Sequence, residues 1–286
     1  MLSYLVSKLP ASTIRFFGRL QFRFPILKSL INRISQYTVT EDGIIQRGVG
    51  KGLRFNAQGC NPGFLLGTSE PEEQQLLAKL LQPGDIFYDL GANAGFYAVL
   101  GAHLTGPNGK VYAFEPVPEL AERIDYNAKL NNFRHIEVIQ AAVCDLDGTV
   151  NFGIEESHIQ SSIRRARENQ GTDVQALTLD TWADVHPDPQ VVMMDVEGAE
   201  IEALRGSLAL IRRSRPFMMV EVHWLGETFV EFVEDAILPL GYQVTTYDGS
   251  PLPKGDASAI MPCSHPSDER DYVPANASSL SFSWYW

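Results

Sequence analysis

Apolar and polar positions along this chain follow two different periods. From residue 85, short runs that are apolar at nearly every position alternate with stretches of helical spacing. "DIFYDLG" reads as a strand, "GFYAVLGAHLTG" as a helix, "GKVYAFEP" as a strand, "PELAERIDYNAKLN" as a helix and "HIEVIQAAV" as a strand. After an interruption at 145–183 the alternation resumes with "QVVMMDVEG" (strand), "AEIEALRGSLALIRRS" (helix), "RPFMMVEVHW" (strand), a helix near 227–237 and "GYQVTTY". Continuously apolar strands separated by helices predict an α/β core over 85–248, built on a mostly parallel sheet covered on both faces. The interruption, with "GTVNFGI" and "SSIRRARENQGTDVQALTLD", predicts a β-like extension with a loop.

The flanks differ from the core. Residues 1–40 place Ile14, Phe17, Ile26, Leu27, Leu30, Ile31 and Ile34 at helical spacings around Pro10 and Pro25, predicting two amphipathic helices. Residues 41–84 hold two parts. The glycine-rich stretch up to residue 68 predicts a pair of short strands. "SEPEEQQLLAKLLQPGD" predicts a helix capped by Ser69, with Pro71 and Glu72 in its first turn and Leu76, Leu77, Leu80 and Leu81 along one side. The tail, 249–286, reads as loop in its middle, with "SLSFSWYW" able to return as an edge strand.

Charge sharpens this division. The whole chain carries −12, yet residues 1–40 hold six Lys and Arg and no Asp or Glu, so that residues 41–286 carry −18. An acidic body excludes a general nucleic-acid binder, which needs a basic face to displace counterions. The basic, aromatic N-terminus suits either contact with an anionic membrane surface through residues 1–36, or packing on the acidic body or a second copy as a homodimer. Three widely separated cysteines, Cys60, Cys144 and Cys263, are not a disulfide framework and fit a cytoplasmic chain, one that could sit peripherally at the inner membrane face. No stretch approaches the roughly 18 apolar residues of a membrane span.

Candidate chemistry begins at "DLGANAGFY". Gly91 and Gly95 bracket a strand-to-helix turn, and Glu115 ends the next strand, where a carboxylate can accept from both hydroxyls of a ribose. A pyrophosphate turn wants the spacing G-x-G-x-x-G. Here Asn93 replaces the second glycine, and Asp89 would repel phosphate but could receive an ammonium group. The charge pattern favours S-adenosylmethionine over a dinucleotide.

"FYDLGANAGFYAVLGA", "GKVYAFEPVPEL", "LTLDTW", "MMDVEGAEIEALRG" and "VEVHW", in this order, resemble the FkbM family of S-adenosylmethionine-dependent methyltransferases over residues 68–224. The resemblance implies a class I, Rossmann-like fold. Its mostly parallel seven-stranded sheet would carry helices on both faces and an antiparallel hairpin near its end. It also implies O-methylation of a hydroxyl on a sugar, glycan, glycolipid or natural product. By position it assigns Asp89, Gly91, Asn93 and Gly95 to the methionine part and Glu115 to the ribose. It places Ala141, Ala142 and Val143 at the adenine, with Asp145 as a candidate for the adenine amino group. Glu70 would lie near the cofactor, unless it serves the helix cap.

An alcohol needs a base during methyl transfer. Asp195, Glu197 and Glu200 follow the fourth core strand, and Glu221 and His223 share a face at the end of the fifth. With an ordinary pKa near 6.5, His223 is the expected base. Asp195 would hold the cofactor or orient the base, and Glu197 would accept from acceptor hydroxyls. Glu200 reads equally as a first-turn carboxylate facing the helix dipole. The spacing is not a specific metal-ligand pattern, and no metal is expected. Arg164, Arg165 and Arg167 could contact an anionic acceptor or form a solvated face. Trp182 and Trp224 suit sugar faces or a core. N-methylation of a small molecule, a non-catalytic nucleotide-binding module and a nicotinamide-dependent oxidoreductase are the competing readings.

Overall fold

The structure, a computed structural model, describes residues 42–153, 171–245 and 260–264. The basic segment 1–40, the arginine run 164–167 and the end of the tail lie outside these residues.

The described chain enters through an antiparallel pair, β1 (Asp42–Ile44) and β2 (Arg54–Asn56), followed by one turn of helix, α1 (Gly63–Leu66), and α2 (Pro71–Leu80). Strand and helix then alternate: β3 (Ile86–Leu90), α3 (Phe96–Thr105), β4 (Lys110–Phe114), α4 (Pro118–Leu130) and β5 (Ile136–Ile139). The interruption contributes β6 (Ala142–Val143), β7 (Gly148–Gly153), β8 (Gly171–Leu177) and the short α5 (Leu179–Trp182). The second half holds β9 (Val191–Met194), α6 (Glu200–Arg205), α7 (Leu208–Ser214), β10 (Phe217–Glu221), α8 (Gly226–Phe232), β11 (Gln243–Val244) and β12 (Ile260–Ser264).

The main sheet runs in the order β11-β12-β10-β9-β3-β4-β5. The five strands from β10 to β5 are mutually parallel, as the alternation requires, and β12 and β11 extend the β10 edge antiparallel. Side chains alternate across this sheet. Tyr88, Leu90, Phe114, Val192, Met194, Met218 and Val220 pack toward α5–α8, whereas Phe87, Val111, Val191, Met193 and Phe217 pack toward α2–α4. Both faces are buried, so β9 reads "VVMM" with no polar position.

Three local features depart from the sequence reading. Helix α2 starts after Glu70, whose φ is 43°, and no side chain caps it; Pro71 begins it and Gln74 Nε2 donates to the Ser69 carbonyl at 2.6 Å. The helix expected over "AEIEALRGSLALIRRS" breaks into α6 and α7 because a Cβ on Gly206 would stand 2.0 Å from the Cys144 carbonyl oxygen, so the β6 loop crosses there. The tail's middle, read as loop, supplies β12, which inserts between β10 and β11. Pro262 hides this strand from a pattern search, since proline argues against a central strand.

Candidate active site

The chain runs β3, β4, β5 outward in one direction and β9, β10 in the other, so strand order reverses between β3 and β9. Open α/β sheets bind ligands at the carboxyl ends of strands beside such a reversal. There the two strand ends come close: Asp195 N–H donates to the Leu90 carbonyl at 2.9 Å, and Gly91 follows with φ 79°. A Cβ on Gly91 would lie 1.8 Å from the Asp195 carbonyl oxygen. Only glycine fits, and the reason is backbone crowding rather than turn geometry alone.

A cleft with about 570 Å³ of space, partly open to solvent, lies over this reversal. Gly91, Asn93 and Glu115 line it from β3 and β4, Ala141–Val143 and Phe152 from the β5–β7 side, and Asp195–Glu197 from β9. Phe152, together with Phe114, Val117 and Leu120, gives the cleft an apolar wall that sequence reasoning missed. Phe152 was hidden because β7 belongs to the interruption. Asp145 is not in the lining; Arg205 Nη1 engages it at 3.1 Å.

Glu115 does more than end a strand. Its Oε2 accepts from Asn93 N–H at 2.8 Å and its Oε1 from Val117 N–H at 2.9 Å, so it clamps the glycine turn to the start of α4. Asn93 sits at φ 52°, its side-chain oxygen accepting from Ala94 N–H at 2.8 Å. Gly95, at φ 83°, faces Ile124 of α4. Burial pushes the Glu115 carboxyl up to about 7, against the lowering effect of its two N–H donors. Asp89 is also buried, its Oδ2 has no hydrogen-bond partner, and burial plus the nearby Glu115 charge raise it to about 7. Glu70, expected near the cofactor or in the helix cap, makes no cap hydrogen bond and is not in the cleft lining. Its Oε2 accepts from Tyr97 Oη at 2.7 Å, and burial with the Glu221 charge raises it to about 7.

Four of the five candidates from the ends of β9 and β10, all carboxylates, converge on the imidazole of the fifth, His223. His223 Nδ1 lies 3.0 Å from Glu200 Oε1, and its Nε2 lies 3.5 Å from Glu221 Oε1 and 3.8 Å from both Asp195 Oδ1 and Glu197 Oε2. Burial alone would lower the His223 pKa. Hydrogen bonding to Glu200 and Glu221 and the charges of Asp195 and Glu221 outweigh it and raise the ring to about 11. The surrounding carboxylates therefore favour the protonated ring over the neutral one. Asp195 keeps 38% of its side chain exposed, yet its Oδ1 is enclosed without a partner. Burial of that oxygen and repulsion from Glu221 hold its carboxyl well above the usual range. Asp195, Glu197 and His223 each offer a donor atom within 4.8 Å of the others, a spacing a divalent cation would fit. The protonated ring supplies positive charge at that point. Trp182 stacks on His186 at 3.6 Å and packs on Tyr112 and Phe114, away from this cluster. Trp224 is 56% exposed, its ring 5.1 Å from that of His223.

Residues 89–244 match the methyltransferase FkbM domain, from the buried aspartate of β3 to the end of β11. The chain belongs to the FkbM methyltransferase family. It is 26% identical over 179 residues to the hexuronic acid methyltransferase AglP of Haloferax volcanii, an alignment covering 61% of this chain and 72% of that protein. A short segment is 53% identical over 38 residues to the 31-O-demethyl-FK506 methyltransferase FkbM of Streptomyces tacrolimicus, covering 13% of this chain and 14% of that one. Among solved structures, the methyltransferase FkbM of Methylobacillus flagellatus aligns at 16% identity with a TM-score of 0.44, covering 70% of this chain. This chain spans only 52% of that structure's length. No described helix is long and apolar enough to cross a membrane.

Proposed function

We propose that this chain is an S-adenosylmethionine-dependent O-methyltransferase whose acceptor is a hydroxyl of a sugar, glycan, glycolipid or natural product. The observation that carries the reading is the carboxylate–histidine cluster at the ends of β9 and β10, two members of which, Asp195 and Glu197, line one cleft with Gly91. Two relatives, a hexuronic acid methyltransferase and a 31-O-demethyl-FK506 methyltransferase, support a sugar or natural-product acceptor by their names.

The residues fit the donor. Bound S-adenosylmethionine supplies an electrophilic methyl group on a cationic sulfur. Each Glu115 oxygen accepts one N–H and keeps lone pairs that ribose hydroxyls can use. The orphaned Asp89 Oδ2 offers an acceptor to an ammonium group, directly or through water. Ala141, Ala142, Val143 and Phe152 form an apolar wall suited to a purine.

Transfer is an in-line displacement, so alignment and proton removal fall to the protein. An imidazolium cannot accept the acceptor's proton. That role passes to a carboxylate of the cluster, and Asp195, next to the crowded Gly91 junction, is the proposed base. Burial and Glu221 hold its carboxyl above the usual range while the His223 charge acts the other way, and in its ionised form it is the group placed to accept the proton. His223 holds Asp195, Glu197 and Glu221 around one charge, and Glu197 and Glu221 are placed to accept from neighbouring acceptor hydroxyls. Trp224, exposed at the rim, offers a flat face to a sugar ring.

Incubation with methyl-labelled S-adenosylmethionine and a panel of uronic-acid, neutral and amino-sugar oligosaccharides tests the reading. An ether O-methyl product that Asp195→Asn abolishes supports it; label on nitrogen, or none transferred by folded protein, sinks it.

A further inference from the structure

We propose that Glu200 is a positioning residue that joins the Val196–Gly198 turn and the His223 ring into one unit. In sequence it looks like a first-turn carboxylate answering a helix dipole, a role that works at the surface. The structure places it with no side-chain exposure, at the start of a six-residue helix. A buried carboxylate is retained only when specific partners compensate its lost hydration.

Those partners are two, and both use the same oxygen. Oε1 accepts from Gly198 N–H at 2.9 Å and from His223 Nδ1 at 3.0 Å. The first bond holds the peptide that joins two consecutive residues of positive φ, Glu197 at 52° and Gly198 at 97°, and so restrains where the Glu197 side chain leaves the backbone. The second sets the ring. A carboxylate can only accept, so Nδ1 carries the hydrogen and Nε2 faces the cleft. On the Nε2 side, Glu221 Oε1 at 3.5 Å makes at most a long hydrogen bond, and Asp195 and Glu197 at 3.8 Å make none, so the 3.0 Å bond to Glu200 is the main constraint on the ring's orientation. The groups facing the ring are Asp195 and Glu197 after β9, Glu221 on β10 and Glu200 on α6. Glu70, at the start of α2, adds its charge to Asp195.

The catalytic consequence rests on the methyltransferase reading above, whereas the positioning itself does not. The test therefore has two arms. In nitrogen-15 histidine-labelled protein, His223 should show a persistent Nδ1-bound proton in wild type and in Glu200→Gln, whose amide oxygen can take both bonds. Glu200→Ala should lose it. In the activity arm, Glu200→Ala should lower kcat roughly tenfold to 100-fold while donor affinity stays within about twofold, and Glu200→Gln should recover most of that loss. A wild-type ring without a persistent Nδ1 proton overturns the proposal, even if Glu200→Ala fails to fold. So does a folded Glu200→Ala protein that keeps the ring proton or turns over at the wild-type rate. If no methyl transfer is found at all, the nuclear magnetic resonance arm still decides the positioning claim.

Discussion

Replacing Gly91 by alanine should separate two strand ends that the cleft needs together. The added Cβ would sit 1.8 Å from the Asp195 carbonyl oxygen and 2.8 Å from its carbon, where a carbon–oxygen contact needs about 3.2–3.5 Å. Neither atom belongs to a flexible side chain, and β3 and β9 are tied in register up to Leu90 and Met194. Relief requires a backbone shift of more than about 1 Å, which overpacked sites resist at about 1–3 kcal/mol. The φ of 79° adds about 1–2 kcal/mol for a residue with a Cβ. The sum, about 2–5 kcal/mol, should lower Tm by roughly 5–15 °C in a domain of this size. Gly84→Ala is the control. Its φ is 95°, but nothing lies within 4 Å of the added carbon, so it should lose only the conformational part, about 1–2 kcal/mol. Thermal melts of both variants, with titration of S-adenosylhomocysteine, read the difference. Equal melting shifts, or unaltered ligand affinity in Gly91→Ala, would refute the backbone-crowding argument.

Other outcomes follow from the buried acids. Glu70, Asp89 and Glu115 are raised to about 7 and Glu73 to about 8, so their protonated forms are favoured on folding. Their contribution is complete below the ordinary carboxyl values near 4 and is lost as pH rises through 7–8. Each is worth at most about 3–5 kcal/mol. Ligand-free protein should therefore melt at progressively lower temperature from pH 5 to pH 8, and a flat or rising profile would contradict the assigned burial. Trp224→Ala should raise acceptor KM by about tenfold with little change in kcat, as loss of binding shared by ground and transition states does; an equal fall in kcat would remove the platform role. Chelation of divalent cations should leave turnover within about twofold if the His223 proton, rather than a metal, balances Asp195, Glu197 and Glu221; activity lost on chelation and restored by a divalent cation would instead place a metal on Asp195, Glu197 and His223.

Much of this architecture is legible in the chain itself. The parallel sheet follows from runs such as "VVMM", and the site's location follows from Gly91, Glu115 and Asp195 each standing just after a strand. What periodicity does not carry is the meeting of side chains from separate elements. Glu200 stands 23 residues from His223, and only the adjacency of β9 and β10 brings them into contact. The raised basicity of His223 likewise depends on Glu200, Glu221 and Asp195, gathered by the sheet from separate stretches of the chain. Glu70 looked like part of a helix start because "SEPEE" has capping composition; Tyr97, on a different helix, claims its carboxylate instead. Strand β12 escaped notice because its proline breaks the pattern that identifies central strands.

The most direct test of the central claim is calorimetric titration of the protein with S-adenosylhomocysteine, repeated on Asp89→Ala and Glu115→Ala. The account predicts micromolar-range binding to the wild type and its loss in both variants, because it assigns Asp89 to the donor's ammonium end and Glu115 to its ribose. Failure of folded wild-type protein to bind, or undiminished binding by both variants, would contradict it.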